Sequence, residues 1–121
     1  MKSDILIRAV CKGLNKTRGV TIRTPEEGEQ TVLIDDVEQS LSSLGFDVDA
    51  KYAEELELSQ GAEVRVKRNA MLQESDSIMH QDRWGNLTKA KQNEWIAYRQ
   101  ALRDVTSQSG FPTSVSWPSK P

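Results

Sequence analysis

The stretch LTKAKQNEWIAYRQALRDVTSQSG, from Leu87 to Gly110, constrains the fold more than any other part of the chain. Trp95, Tyr98, Leu102 and Val105 recur at three- and four-residue spacing, which places them on one face of a helix. Thr88 is suited to cap its start, Ala97 and Ala101 favour the helical backbone, and Gly110 ends it. A single helix cannot bury such a stripe on itself. The segment that follows, GFPTSVSWPSKP, carries Phe111, Trp117 and three of the chain's four prolines. Pro112, Pro118 and Pro121 pre-set extended backbone angles and lower the entropy lost when such a segment docks. The tail is expected to fold back along the helix as a lid, with Trp117 as its anchor. Burying that side chain is worth about 2–3 kcal/mol. The alternative is a tail that reaches out to a partner.

The preceding sequence is less regular. Ile5–Val10 is a short apolar run that suits a strand, Val20 and Ile22 alternate with polar neighbours, and Thr31–Ile34 is a β-branched run. Turn-rich GLNKTRG and TPEEGEQ separate them. In DDVEQSLSSLG the period changes: Val37, Leu41 and Leu44 fall on one helical face, with Asp35 or Asp36 as cap and Gly45 as stop. LELSQGAEVRVKR reads as two strands about a Gln60–Gly61 turn, with Leu56 and Leu58 on one arm and Val64 and Val66 on the other. The expected fold is α+β: a small β-rich unit over residues 1–66, then a helical module over 67–121 with an extended Pro/Trp tail.

Chemistry-bearing residues are sparse. His80 and Asp82 lie two apart, but the chain holds one histidine and one cysteine, too few for a zinc or general-base constellation at useful spacing. Asp47 and Asp49 lack the remaining ligands of a calcium loop. Cys11 has no internal disulfide partner, and the seven glycines form no phosphate cradle. No catalytic site, metal or cofactor is expected. Sixteen basic against eighteen acidic residues exclude a chain-wide basic field, so nucleic acid is not an expected partner. Asp4 interrupts the first apolar run, and no stretch approaches a membrane helix. A cytoplasmic protein is expected. The apolar fraction, 36%, is below the roughly 45–50% of an average globular chain, so the core should be modest.

Three ordered stretches carry a family resemblance: RNAMLQESD (Arg68 to Asp76), EWIAYRQALRDV (Glu94 to Val105) and GFPTSVSWPSKP (Gly110 to Pro121). Together, over residues 66–121, they resemble the phage tail assembly chaperone family. That family shows a Ser/Thr-Asp pair, a Trp-x-x-Tyr-Arg-x-x-Leu-Arg-Asp helix, and Phe-Pro and Trp-Pro near the end. Here Ser77 follows Asp76 where the family often has tryptophan, and Met71 stands where leucine is common. The resemblance implies a non-enzymatic bacteriophage protein, made in the bacterial host cytoplasm, that helps a tail or tail-fibre protein assemble. The alternative is a structural adaptor retained in the virion tail. Partner binding or tail docking is assigned to Trp95, Tyr98, Arg99, Leu102, Phe111 and Trp117. The partner is a phage tail or tail-fibre protein, and a homo-oligomer is compatible with this reading.

Overall fold

The computed structural model describes residues 1–121 and divides into two compact units, Met1–Ser59 and Gln60–Pro121. The fold is α+β, with one three-stranded antiparallel sheet in the first unit and helices throughout the second.

The first unit opens with a helix where a strand was expected. Helix α1, Ser3–Leu14, buries Ile5, Leu6, Ala9 and Val10. The apolar run is too short to set its own period. Its continuation at four-residue spacing shows the helical face. Asn15 ends α1 in the left-handed conformation, and its N–H donates to the last-turn carbonyl oxygens of Cys11 and Lys12. Strands β1 (Val20–Arg23) and β2 (Thr31–Ile34) lie where alternation and β-branching put them, and they pair antiparallel.

The segment expected to form a helix from Val37 is instead strand β3, Val37–Ser40, followed by a 3-10 turn at Leu41–Ser43. The reason lies in Asp35 and Asp36. Both adopt positive φ, 51° and 68°, and form a two-residue loop whose twist suits a tight hairpin. They turn the chain rather than cap a helix, and β3 pairs with β2 through Ile34 opposite Val37 and Val32 opposite Gln39. Leu6, Val10, Val32 and Val48 form the buried centre, with Ile22, Phe46 and Tyr52 among the half-buried residues around it. Glu55 is buried but ion-paired with Lys12, so its charge is not stranded.

Helix α2 runs unbroken from Val48 to Asp76 and replaces the two strands expected around Gln60–Gly61. Its sequence is rich in Ala, Glu, Leu, Lys, Arg and Gln and contains no proline, so helix propensity is high throughout. The alternation of Leu56 with Leu58 and of Val64 with Val66 misleads because Leu58 and Val66 point to solvent. Beyond α2 come a 3-10 turn at Ser77–Met79, a short helix α3 at Gln81–Gly85, and helix α4 at Lys89–Arg103. Thr88 caps α4 as expected, its Oγ1 accepting from Lys91 N–H at 3.2 Å. A 3-10 turn at Asp104–Ser107 replaces the last regular turns before Gly110.

Gly13, near the end of α1, is the closest approach in the first unit. A Cβ there would overlap the Phe46 ring. A helical glycine ordinarily gains about 1 kcal/mol on becoming alanine. For Gly13→Ala we expect the reverse, a loss of about 1–3 kcal/mol from overpacking. Thermal or urea unfolding measures it, and Phe46→Leu in the same chain should restore most of the loss.

Candidate partner-binding site

In the second unit the stripe on α4 forms the core. Trp95, Tyr98 and Leu102 are buried, with Met71, Leu72, Ile78, Met79, Trp84, Leu87 and Trp117 packed around them. The Trp95 and Tyr98 rings meet edge to face, 5.7 Å between centroids and 87° between planes, an arrangement favoured by the ring quadrupoles. Gln92 Nε2 donates to the Trp84 carbonyl oxygen at 2.9 Å and fixes the approach of α3.

Arg99 ties α4 to the end of α2. Its side chain is only 17% exposed. Nη1 donates to Leu72 O at 3.1 Å, to Ser75 Oγ, and to Asp76 Oδ1 at 2.8 Å. Leu72 O lies close to the C-terminal end of α2, where the helix dipole makes a cation favourable. Ser75 is buried and its Oγ also donates to Leu72 O at 2.7 Å. The Ser-Asp pair and the arginine of the Trp-x-x-Tyr-Arg motif therefore meet in one hydrogen-bonded cluster.

The tail returns over the helices. The Phe111 ring lies against Gly61, where a Cβ would come within 3.2 Å of Phe111 Cζ, and the Arg65 guanidinium carbon is 5.3 Å from the ring centroid. Trp117 is half-buried against the Trp95–Tyr98–Leu102 cluster, with Lys67 Nζ 4.4 Å from its ring centroid. Both cations sit at cation–π distance. The Gln108 side chain pairs with the backbone of Ser116 in both directions, donating to O and accepting from N–H, each at 2.8 Å. Lys120 Nζ donates to Glu74 Oε1 at 2.6 Å. That hydrogen bond, then the carboxylate charge, raises the Lys120 pKa above its ordinary 10.5. The latch is thus fully present below pH 10.5 and is lost as pH climbs through the raised value.

Between α4 and the tail runs an open groove of about 510 Å³. Its floor is Ala97, Tyr98 and Ala101, one stripe of the helix, and its wall is Pro118 to Pro121, with Glu94 and Lys120 at the rim. Of the residues assigned from sequence, Trp95, Tyr98 and Leu102 form the core, and Phe111 and Trp117 hold the tail. Arg99 is engaged inside the unit. Tyr98 alone among them lines the groove. Sequence reasoning read Gly61 as part of a turn and did not single out Arg65, Lys67 or Gln108; the roles of Gly61, Arg65 and Lys67 depend on a tail more than forty positions away. The Ser75–Asp76 pair was visible in its motif, without its tie to Arg99. His80 is exposed at the start of α3, where its carbonyl oxygen accepts from Trp84 N–H at 2.8 Å. No group of three or more His, Cys, Asp or Glu side chains is arranged to hold a metal ion, and no helix is long and apolar enough to cross a membrane.

A helical module closed by an aromatic, proline-bearing tail is thus built from the three motif stretches. The family of the phage tail assembly chaperone protein matches residues 61–121, a span that contains all three. The chain belongs to the phage tail assembly chaperone family. No curated protein and no solved structure matches it.

Substitutions at two positions separate the roles within this module. Arg99→Ala should cost about 2–3 kcal/mol, because it removes charge-assisted bonds from a nearly buried site. Arg99→Lys should recover only part of this, since lysine Nζ ends one atom short of the position from which Nη1 meets all three acceptors. Trp117→Ala should cost about 1–2 kcal/mol, in keeping with a half-buried indole. Chemical unfolding of the full chain measures all three.

Proposed function

We propose that this protein is a non-enzymatic assembly chaperone that binds a phage tail or tail-fibre protein in the cytoplasm of the bacterial host. The observation that carries the reading is the α4–tail groove within the family-matched segment. Its floor is small and apolar, its wall is held by Gln108, Trp117 and Lys120, and it opens to solvent. Such a groove receives an apolar segment of another chain while the module's own core stays closed.

The physics of tail assembly suits this. Fibre and tail proteins expose apolar surface and unpaired strand edges before their partners arrive, and such species aggregate. A small protein that covers that surface needs no nucleotide. Mass action suffices, because binding the assembly-competent form stabilises it by an amount that grows with the logarithm of chaperone concentration over Kd. The chain has a single histidine and no group of three or more His, Cys, Asp or Glu side chains arranged to hold a metal ion, and the reading rests on binding.

Quantitative mass spectrometry of purified phage particles tests the reading. A chaperone is abundant in infected-cell lysate and near absent from particles. A fixed, symmetry-matched copy number per particle would make the chain a virion adaptor instead. Within the site, Ala97→Arg fills the exposed groove floor with a good helix former. It should change stability by less than about 0.5 kcal/mol and weaken co-purification with tail proteins about tenfold, or about 1.4 kcal/mol. His80→Ala should leave phage assembly unchanged. Loss of assembly with normal folding would return that loop to consideration as a site.

A further inference from the structure

The sheet of the first unit has an unpaired edge. β3 hydrogen-bonds to β2 alone, in the order β1-β2-β3. Which backbone groups face outward follows from one bond. Asp35 N–H donates to Gly19 O at 2.8 Å, so alternate residues of β2, Val32 and Ile34, direct their groups to β3. Gln39 and Val37, which stand opposite them, receive those bonds. Glu38 and Ser40 therefore turn their N–H and C=O groups away from the sheet. Ser43 Oγ donates to Ser40 O at 2.7 Å, which leaves Glu38 N–H, Glu38 C=O and Ser40 N–H without a protein partner.

The side chains on this edge are divided between the two faces. Val37 shares a row and a face with Val20 and Ile34, the face that carries the core, yet it remains 60% exposed. Glu38 lies on the other face, where Thr31 Oγ1 donates to it at 2.7 Å and Arg23 reaches it only at 3.4 Å. The local chain is mainly acidic: residues 24–50 hold eight carboxylates and no lysine or arginine, with Asp35 paired to Lys16 and Glu38 to Arg23 from outside that span. Edge strands are usually blunted by lysine, proline or a bulge. Here the edge is left open and the charge around it is negative.

We propose that β3 takes up an extended strand of another protein, with lysine or arginine opposite Glu38 and a β-branched residue opposite Val37. Only an extended backbone offers donors and acceptors at the spacing of Glu38 and Ser40, and pairing of this kind is a recurrent mode of peptide capture. A second copy of this chain is disfavoured, because edge-to-edge pairing would bring one carboxylate-rich segment against another. The inference is separate from the α4–tail groove: the edge lies within Met1–Ser59, outside the family-matched residues, so either can fail alone.

The test uses the ¹⁵N-labelled full chain and the peptide acetyl-Thr-Val-Lys-Val-Lys-Val-Thr-amide, followed by amide shifts and hydrogen exchange. Saturating peptide should slow exchange at Glu38 and Ser40 by about tenfold or more. A peptide with both lysines replaced by glutamate should bind about tenfold more weakly. Ser40 already has φ −74°, so Ser40→Pro deletes an outward donor without changing charge or backbone. It should abolish the protection at Glu38, whereas Glu38→Gln should weaken binding and keep the protection pattern. If Ser40→Pro lowers the melting temperature, exchange in the wild type with the two peptides decides. Unchanged exchange at both positions with about 1 mM peptide, a weak-binding ceiling, overturns the proposal. So does equal binding of the two peptides, or dimerisation of the peptide-free chain that Ser40→Pro abolishes.

Discussion

The guanidinium of Arg99 is the contact on which the second unit depends. It lies between α4 and the end of α2 and satisfies a helix-terminal carbonyl oxygen, a buried hydroxyl and a carboxylate together. Burial of an arginine is costly unless its donors are met, and here three acceptors share the N–H groups of Nη1. With α2 and α4 joined at that point, Trp95, Tyr98 and Leu102 close against Met71 and Leu72. The family motifs thereby acquire a physical account. The Ser-Asp pair and the arginine of the Trp-x-x-Tyr-Arg helix are two halves of one interaction, separated by more than twenty positions of chain.

Glycine against an aromatic ring is a device used once in each unit. Gly13 in α1 receives Phe46, and Gly61 in α2 receives Phe111. A glycine inside a helix costs about 1 kcal/mol relative to alanine, and close ring packing offsets it by bringing apolar surface onto the helix backbone. At Gly61 the same contact orders the tail. Arg65 and Lys67, two positions apart on α2, then lie over Phe111 and Trp117. Charged side chains thus lie over aromatic surface that apolar residues do not cover, which suits a chain whose apolar content is modest.

On the proposed reading, function resides in surfaces rather than in a reactive constellation. The groove beside α4 exists because the tail stands off the alanine stripe instead of filling it. Its wall is set by Gln108 pairing with Ser116 and by Lys120 with Glu74, polar contacts that are individually weak at an exposed surface. On the proposed reading, a wall so held is ordered enough to be specific and needs little energy to adjust to an incoming segment.

Much of the second unit was legible in the residues. The period of Trp95, Tyr98, Leu102 and Val105 and the Thr88 cap each act within a few turns of chain, and local rules read them; the tail aromatics stood out by composition, but their seats on α2 did not. β1 and β2 were legible for the same reason. Ile5–Val10, Val37–Leu44 and the Gln60–Gly61 region were not. An apolar run of six suits helix or strand equally, an Asp-Asp pair serves as cap or turn, and a helical glycine resembles a break until its ring partner is known. The sequence by itself determined the α+β class, the α4 stripe and the family, because periodicity, capping and ordered motifs are local properties. Only the tertiary structure decided that α2 is one helix, that Arg99 faces inward and that β3 has a free edge. Each of those depends on which distant residue supplies the missing donor, acceptor or apolar surface.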